Sequence, residues 1–313
     1  MGKRILVVGS INADYVIHTK RLPQLGETIA GNGFSINIGG KGANQAVALA
    51  KAGCEVRLLG AVGCDAVGEQ ALEHLSACGV DTSCVLRANA STGAAVITVC
   101  SGDNHIIIDV GANACITPAV IEQNSTLFDW ADAIVMQYEI STEAVLAAAR
   151  TAKAKGKYVI LNPAPVKEVP TELYRLVDLL VPNEFEAAQI TGITPSDAHS
   201  ARRAVNALLV LGCSAVVLTL GANGSAYSSP RGVGFEGIYR TPCVDTTAAG
   251  DSFIGGLCTK LFEKAPIEEA VRYASAVAAI TISRTGAARA IPTAAEVDWL
   301  MQEKSIEPSP WEI

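Results

Sequence analysis

Aromatic side chains are scarce in this chain, at 5% of 313 residues, and charged ones make up only 18%. No Cys-x-x-Cys pair occurs among the nine cysteines, and their number is odd. That argues against a disulfide framework and against a structural zinc site, and for reduced thiols in a cytoplasmic protein. Lys and Arg form no run, and the net charge is −7. A nucleic-acid partner is therefore not expected, because phosphate-backbone binding needs clustered cations. No apolar stretch approaches the roughly 20 residues that span a bilayer, so no membrane partner is expected either. The first strand pattern starts at Arg4, and we expect no signal peptide ahead of it. His18, His74, His105 and His199 have no metal-ligand spacing, and no nucleophile elbow for Ser-His-Asp chemistry is present.

Hydrophobic residues, by contrast, make up 50% of the chain, with abundant alanine and glycine. Such a composition suits closely packed helices on a sheet. Short β-rich runs alternate with helical patterns: "RILVVG", helix 41–53, "VRLLGAVG", helix 68–76, "DAIVMQ", helix 141–154, "YVILN", "LVDLLVP", helices 183–191 and 197–211, then "AVVLTLG". Helices 250–264, 266–284 and 293–302 follow. This alternation predicts an α/β fold with a mostly parallel sheet covered on both faces. Residues 12–38 and 91–111 break the rhythm with short alternating runs, and "SGDN" between two β-branched runs signals a hairpin. We expect them to form a small second sheet. The body then comprises 1–11, 39–90 and 112–313. A projecting sheet has an apolar face to cover, with a ligand, a second subunit or both.

The stretch "VDTTAAGDSF" opens the helix near 250 with Ala248, Ala249 and Gly250, then Asp251. The first amides of a helix lack internal partners and carry partial positive charge. Small side chains let an anion reach them. An Asp at that spot is either a helix cap or a base for a hydroxyl attacking the anion. Asp245 lies six residues earlier. In "IGGKGANQA", Gly39, Gly40 and Gly42 surround Lys41 at another helix entrance. The P-loop pattern fails, because Gly42 stands where a hydroxyl is required. The dinucleotide pattern fails too, because Gln45 stands at its third glycine. What remains is either a tight turn or, with Lys41 and Asn44, a site for a hydroxylated ligand. Asn12 and Asp14 in "GSINADYV" leave the end of the first strand and, taken alone, read as a turn. Asn183 and Glu186 in "VPNEFEAAQITG" are either a helix cap or two oxygens for Mg²⁺. "TLGANGS" is a glycine turn suited to a nucleotide.

These motifs in this order, with "LNPAP" at 161–165, closely resemble the ribokinase-like (PfkB) carbohydrate kinases from Ile5 to Trp299. The resemblance implies a three-layer fold with a small β-lid, formed here by 12–38 and 91–111, and a homodimer clasped through the lids. It implies ATP-dependent phosphorylation of D-ribose at O5. Asp251 is then the base, and the amides of Ala248, Ala249, Gly250 and Asp251 form the anion hole. Asn12, Asp14, Gly40, Lys41, Gly42, Asn44 and Glu139, with Asp251, match sugar positions. Asn183, Thr219, Gly221, Gly224, Gly250 and Ser275 match nucleotide positions. Asn183 and Glu186 match Mg²⁺ positions. Asp245, Thr247, Thr281, Arg284, Gly286 and Ala290 match a monovalent-cation loop, by expectation for K⁺. Ala290 stands where the family often has serine, and Ser275 where it often has His or Asn. Other readings are a kinase for deoxyribose or a nucleoside, a sugar sensor without catalysis, and an NAD-dependent dehydrogenase. The few aromatics near Ile97, Ile106 and Ile108 weigh against a nucleoside base, and the failed fingerprint against NAD.

Overall fold

The computed structural model describes residues 3–100 and 103–312. Alternate residues of the first strand, Arg4–Val8, are buried in two different layers. Leu6 and Val8 join a core with Ala144, Ala148, Ala201 and Ala204, whereas Ile5 and Val7 join one with Val47, Leu257, Val271 and Ala274. A strand apolar on both faces needs helices on both faces, and the chain supplies them. The main sheet has nine strands, in the order Gly232–Glu236, Ser225–Ser229, Ala215–Thr219, Leu179–Leu180, Tyr158–Leu161, Ala133–Met136, Arg4–Val8, Glu55–Leu59 and Val80–Asp81. Pairing is parallel from Val80–Asp81 through Ala215–Thr219, and the last two strands add an antiparallel hairpin.

A separate four-stranded sheet runs Asn32–Gly39, Asn12–Thr19, Gly93–Cys100 and Asp103–Asp109. Its register puts Asp14, Val16, Ile97, Ile106 and Ile108 on one face, and Tyr15, Ile36, Val96 and Ile107 on the other. Phe34, Ile106, Ile107 and Ile108 are exposed. Ser101 and Gly102, the start of the expected "SGDN" turn, lie outside the described residues.

Several expectations need correcting. Asn12 and Asp14 form no turn; they begin a strand of the small sheet, paired on both sides. "VRLLGAVG" is not one strand. It breaks at Gly60, where a Cβ would lie 2.8 Å from the Gly9 carbonyl oxygen, and Ala61–Gly63 leaves to pair with Leu86–Ala88. "LVDLLVP" contributes only Leu179–Leu180 to the sheet, because the helix Thr171–Arg175 ends just before it and Pro182 follows. Four short helices carried too few residues for a readable period: Pro118–Gln123, Ser125–Trp130, Thr171–Arg175 and Ala287–Ala290.

The contact that positions the site joins helices Lys41–Lys51 and Ala249–Phe262. A Cβ on Gly255 would lie 2.4 Å from the Cβ of Ala48. These residues sit one turn above Asp251 and Asn44, so the small pair brings the two helix starts together.

Candidate active site

The helix Ala249–Phe262 starts from Ala248, which holds φ 60°, a left-handed conformation uncommon for a residue with a Cβ. The Ala249 amide donates to the Thr246 carbonyl at 3.2 Å, and the Ser252 amide to the Ala248 carbonyl at 2.8 Å. Ala249 is therefore less available as an anion donor than its neighbours. The other early amides, of Ala248, Gly250 and Asp251, keep the unpaired donors that a helix start leaves. Gly250 has no positive φ, and a Cβ built there meets nothing within 4 Å. Neither backbone conformation nor packing demands a glycine here. The space that a Cβ would occupy there is empty.

Asp251 is 5% exposed and makes no cap. Both carboxylate oxygens instead accept from the neighbouring helix: Oδ2 from Asn44 Nδ2 at 3.1 Å, and Oδ1 from Gln45 Nε2 at 2.9 Å. Asn44 Oδ1 is buried without a partner. A second carboxylate, Glu139, accepts from Ser10 Oγ at 2.5 Å and from the Lys41 amide at 2.9 Å. Ser10 Oγ also accepts from the Gly42 amide at 3.3 Å. Gly40 and Gly42 are forced by the backbone: a Cβ on either would come within 3 Å of main-chain atoms of residues 9–12, and Gly40 has φ 87°. Their absent side chains seat this helix start against the end of the first strand.

Asp14 fills the space beside Gly39, where a Cβ would lie 2.2 Å from its Oδ2. Burial, with the charges of Glu139 and Asp251 nearby, pushes its carboxyl up to about 7. Lys41 lies among these acids. Burial opposes its charge, but Asp251, Glu139 and Glu186 together outweigh that and raise its pKa. The Asn12 side chain is oriented by Asn113. Asn113 Nδ2 donates to Asn12 Oδ1 at 2.8 Å, and its own Oδ1 accepts from the Ile11 amide at 2.9 Å. The Asn12 Nδ2 group is left as the donor.

Around the helix Glu184–Thr191, the capping reading holds. Asn183 Oδ1 accepts from the Glu186 amide at 2.8 Å, and Glu186 Oε2 from the Asn183 amide at 2.9 Å. This is a reciprocal capping box. Burial nevertheless raises the Glu186 carboxyl against the Asn183 amide and Lys41, which favour the charged form. Thr219 pairs with Asn183 by a β-bridge. Gly221 has φ 55°. Gly224 has φ 88°, and a Cβ there would meet the Glu236 carbonyl oxygen at 2.1 Å, so the fold itself requires that glycine. Ser275 Oγ is spent on the Gly237 carbonyl at 3.0 Å.

Asp245 ties its own loop to the start of the helix Ala287–Ala290. Its Oδ1 accepts from the Thr247 amide and hydroxyl at 2.9 and 2.6 Å, and its Oδ2 from the Gly286 amide at 3.1 Å. Burial works against its charge, but these donors hold its carboxyl below the usual range. The carbonyls of Thr281 and Gly286 each accept one amide, from Arg284 and Ala290 at 3.2 Å. Arg284 pairs with Glu296 at 2.7 Å, and Ala290 is buried. No cluster of three or more His, Cys, Asp or Glu suited to a metal occurs among the described residues.

Five residues at this centre were not read as site residues from the sequence: Ser10, Gln45, Asn113, Gln137 and Asn162. Three share a readable signal, since Ser10, Gln137 and Asn162 are polar residues just past the carboxyl ends of parallel strands. Ligands of open α/β sheets bind at those ends.

Residues 3–294 match the model of the pfkB family carbohydrate kinases. A ribokinase of Haemophilus influenzae is 39% identical over 95% of this chain and 97% of its own. A deoxyribokinase of Salmonella typhi is 32% identical, over 92% and 95%. The structure of an Arabidopsis thaliana ribokinase complexed with ribose and ATP superposes with a TM-score of 0.91 at 33% identity, over 96% of this chain and 99% of that one. The chain belongs to the pfkB family of carbohydrate kinases.

Proposed function

We infer that this chain is an ATP-dependent sugar kinase that transfers the γ-phosphoryl group to O5 of D-ribose. The observation that carries the reading is the start of the helix Ala249–Phe262. A buried carboxylate there faces away from its own helix, beside amides kept open by a glycine that the fold does not need. Phosphoryl transfer asks for positioning and charge stabilisation. The amides of Ala248, Gly250 and Asp251, with Ala249 in a lesser part, take up charge on the transferring group. Asp251 accepts the proton of the attacking hydroxyl. Its two held oxygens retain lone pairs for that bond.

Asn12, Asp14, Gly40, Lys41, Gly42, Asn44 and Glu139 form the sugar subsite. Asn44 Oδ1 accepts one hydroxyl proton, and Asn12 Nδ2 donates to another. The donor role of Asn12 favours a sugar that carries a hydroxyl at its position, and so ribose over deoxyribose. Asn183, Thr219, Gly221, Gly224 and Gly250 border the nucleotide subsite. Ser275 shapes its wall by tethering the helix Ile267–Ile282 to Gly237.

The oxygens of Glu186 and Asn183 fit a Mg²⁺ that would be held through its water shell, because Glu186 Oε1 accepts from Asn183 Nδ2 alone and keeps a further lone pair. The ion supplies charge neutralisation between phosphates. For the monovalent cation, the loop Asp245, Thr247, Thr281, Arg284, Gly286 and Ala290 offers the second lone pairs of its carbonyls. Ala290 adds no side-chain oxygen, so K⁺ dependence is weak in this reading. The small sheet acts as the lid, and its exposed apolar residues meet a second copy of the chain. The odd number of cysteines, with no Cys-x-x-Cys pair, supports a cytoplasmic location. No helix among the described residues is long and apolar enough to cross a membrane.

A coupled assay with ribose, deoxyribose and nucleosides tests the substrate, and Asp251→Asn tests the base. Turnover should fall about 10²- to 10⁴-fold with sugar binding retained. Turnover on nucleosides alone refutes the substrate; undiminished turnover of the variant refutes the base.

A further inference from the structure

Gln45, the residue that spoils the dinucleotide fingerprint, is fully buried and uses both ends of its amide. Nε2 donates to Asp251 Oδ1 at 2.9 Å and lies 3.4 Å from Asn162 Oδ1. Oε1 accepts from Gln137 Nε2 at 2.6 Å. Asn162 Nδ2 in turn donates to the Val181 carbonyl at 2.9 Å and reaches Glu186 Oε2 at 3.4 Å. The polarity of this chain is dictated from outside it. A carboxylate at Asp251 accepts only, so Gln45 must present its NH₂ group there and its oxygen to Gln137. A main-chain carbonyl at Val181 likewise obliges Asn162 to present NH₂ to it and oxygen to Gln45. The two requirements agree, and rotating either amide by half a turn breaks bonds at both of its ends.

We propose that Gln45, Gln137 and Asn162 form one amide chain that fixes Asp251 relative to Glu186, with Gln45 as a positioning residue for phosphoryl transfer. The three come from the helix Lys41–Lys51 and from the ends of the strands Ala133–Met136 and Tyr158–Leu161. The chain therefore spans the carboxyl edge of the sheet between the sugar-side carboxylate and the capping-box carboxylate. Asp251 has a second donor in Asn44, but Asn44 also faces the sugar subsite. Gln45 has no such duty: it is fully buried, and the two ends of its amide are taken by Asp251 and Gln137. Gln137 Oε1 is buried without a hydrogen-bond partner, so among the described residues the bond to Gln45 is the hydrogen bond that orients that amide.

The proposal rests on Asp251 being the base, and the experiment separates the two. Gln45→Leu, Gln137→Leu, their double variant and Asp251→Asn are assayed in the full chain, with ribose and ATP varied and thermal melts recorded. Gln45→Leu should lower kcat about 10- to 100-fold, the rate equivalent of one hydrogen bond to a charged group, while both KM values stay within about threefold. Because Gln137 acts through Gln45, the double variant should be no slower than Gln45→Leu alone. A kcat for Gln45→Leu within about twofold of wild type, or additive losses in the double variant, overturns the proposal. If Gln45→Leu does not fold, Gln137→Leu decides: a kcat loss with KM unchanged supports the chain, and wild-type kcat overturns it. Undiminished turnover by Asp251→Asn refutes the base instead.

Discussion

Asp14→Asn should stabilise the protein while weakening its grip on sugar. Asp14 is 9% exposed, and its pKa is raised from 3.8 to about 7 by burial and by the charges of Glu139 and Asp251. The folded value lies above the unfolded one. Between about pH 4 and 7 the folded chain thus keeps a proton that the unfolded chain has lost, and stability falls as pH rises through that window. Some three pKa units correspond to about 4 kcal/mol above pH 7. Asparagine has nearly the same shape and never ionises, so it escapes that cost. Urea unfolding of both proteins without ligand, at pH 8 and at pH 5, measures the difference. The variant should be the more stable by a few kcal/mol at pH 8, with more than half of that advantage gone at pH 5. In the same variant KM for sugar should rise about tenfold, because a carboxylate accepts hydroxyl protons more strongly than an amide. Equal stability increments at the two pH values, or a variant less stable at pH 8, would show that Asp14 is not held against its charge.

Two further outcomes are expected. Gly250→Ala should raise stability by about 0.5–1 kcal/mol, as for glycine to alanine inside a helix, because its Cβ meets no protein atom. Its turnover should nonetheless fall, because the methyl group enters the space before the amides. Paired melts and kcat values check this, and unchanged kcat would remove Gly250 from the site. Ile106→Asp and Ile107→Asp put charge on opposite faces of the small sheet. Sedimentation should show a dimer for the wild-type chain and a monomer for at least one variant; a monomeric wild type would end the idea of a lid clasp.

The sequence made the helix start at Ala248–Asp251 legible because its composition is odd: three residues with little or no side chain precede an acid. The body of the sheet was legible for the same kind of reason, since fully apolar runs alternated with helical periods. Single residues with two possible duties were not separable. Asp251 and Asn183 both read as caps or as site groups, and only coordinates show that Asn183 caps while Asp251 does not. Gly224 and Gly250 both read as nucleotide glycines, yet Gly224 is required by the Glu236 carbonyl and Gly250 by nothing in the protein. Gln45 read only as a failed glycine, because its partners Asp251, Gln137 and Asn162 are 206, 92 and 117 residues away. Glu139 entered through family likeness alone, since no local pattern marks a carboxylate whose donors come from Ser10 and Lys41.

The contact between Gly255 and Ala48 bears on how such a site can vary. Where two helices meet through long side chains, a rotamer change can absorb a substitution. Here main chain lies almost directly on a methyl group, and no torsion is available to yield. The Asp251 carboxylate thus takes its position from a hard mechanical stop one helical turn away. In the proposed function, positions of the small sheet that meet the sugar are then free to diverge toward other substrates without resetting the alignment of the chemistry.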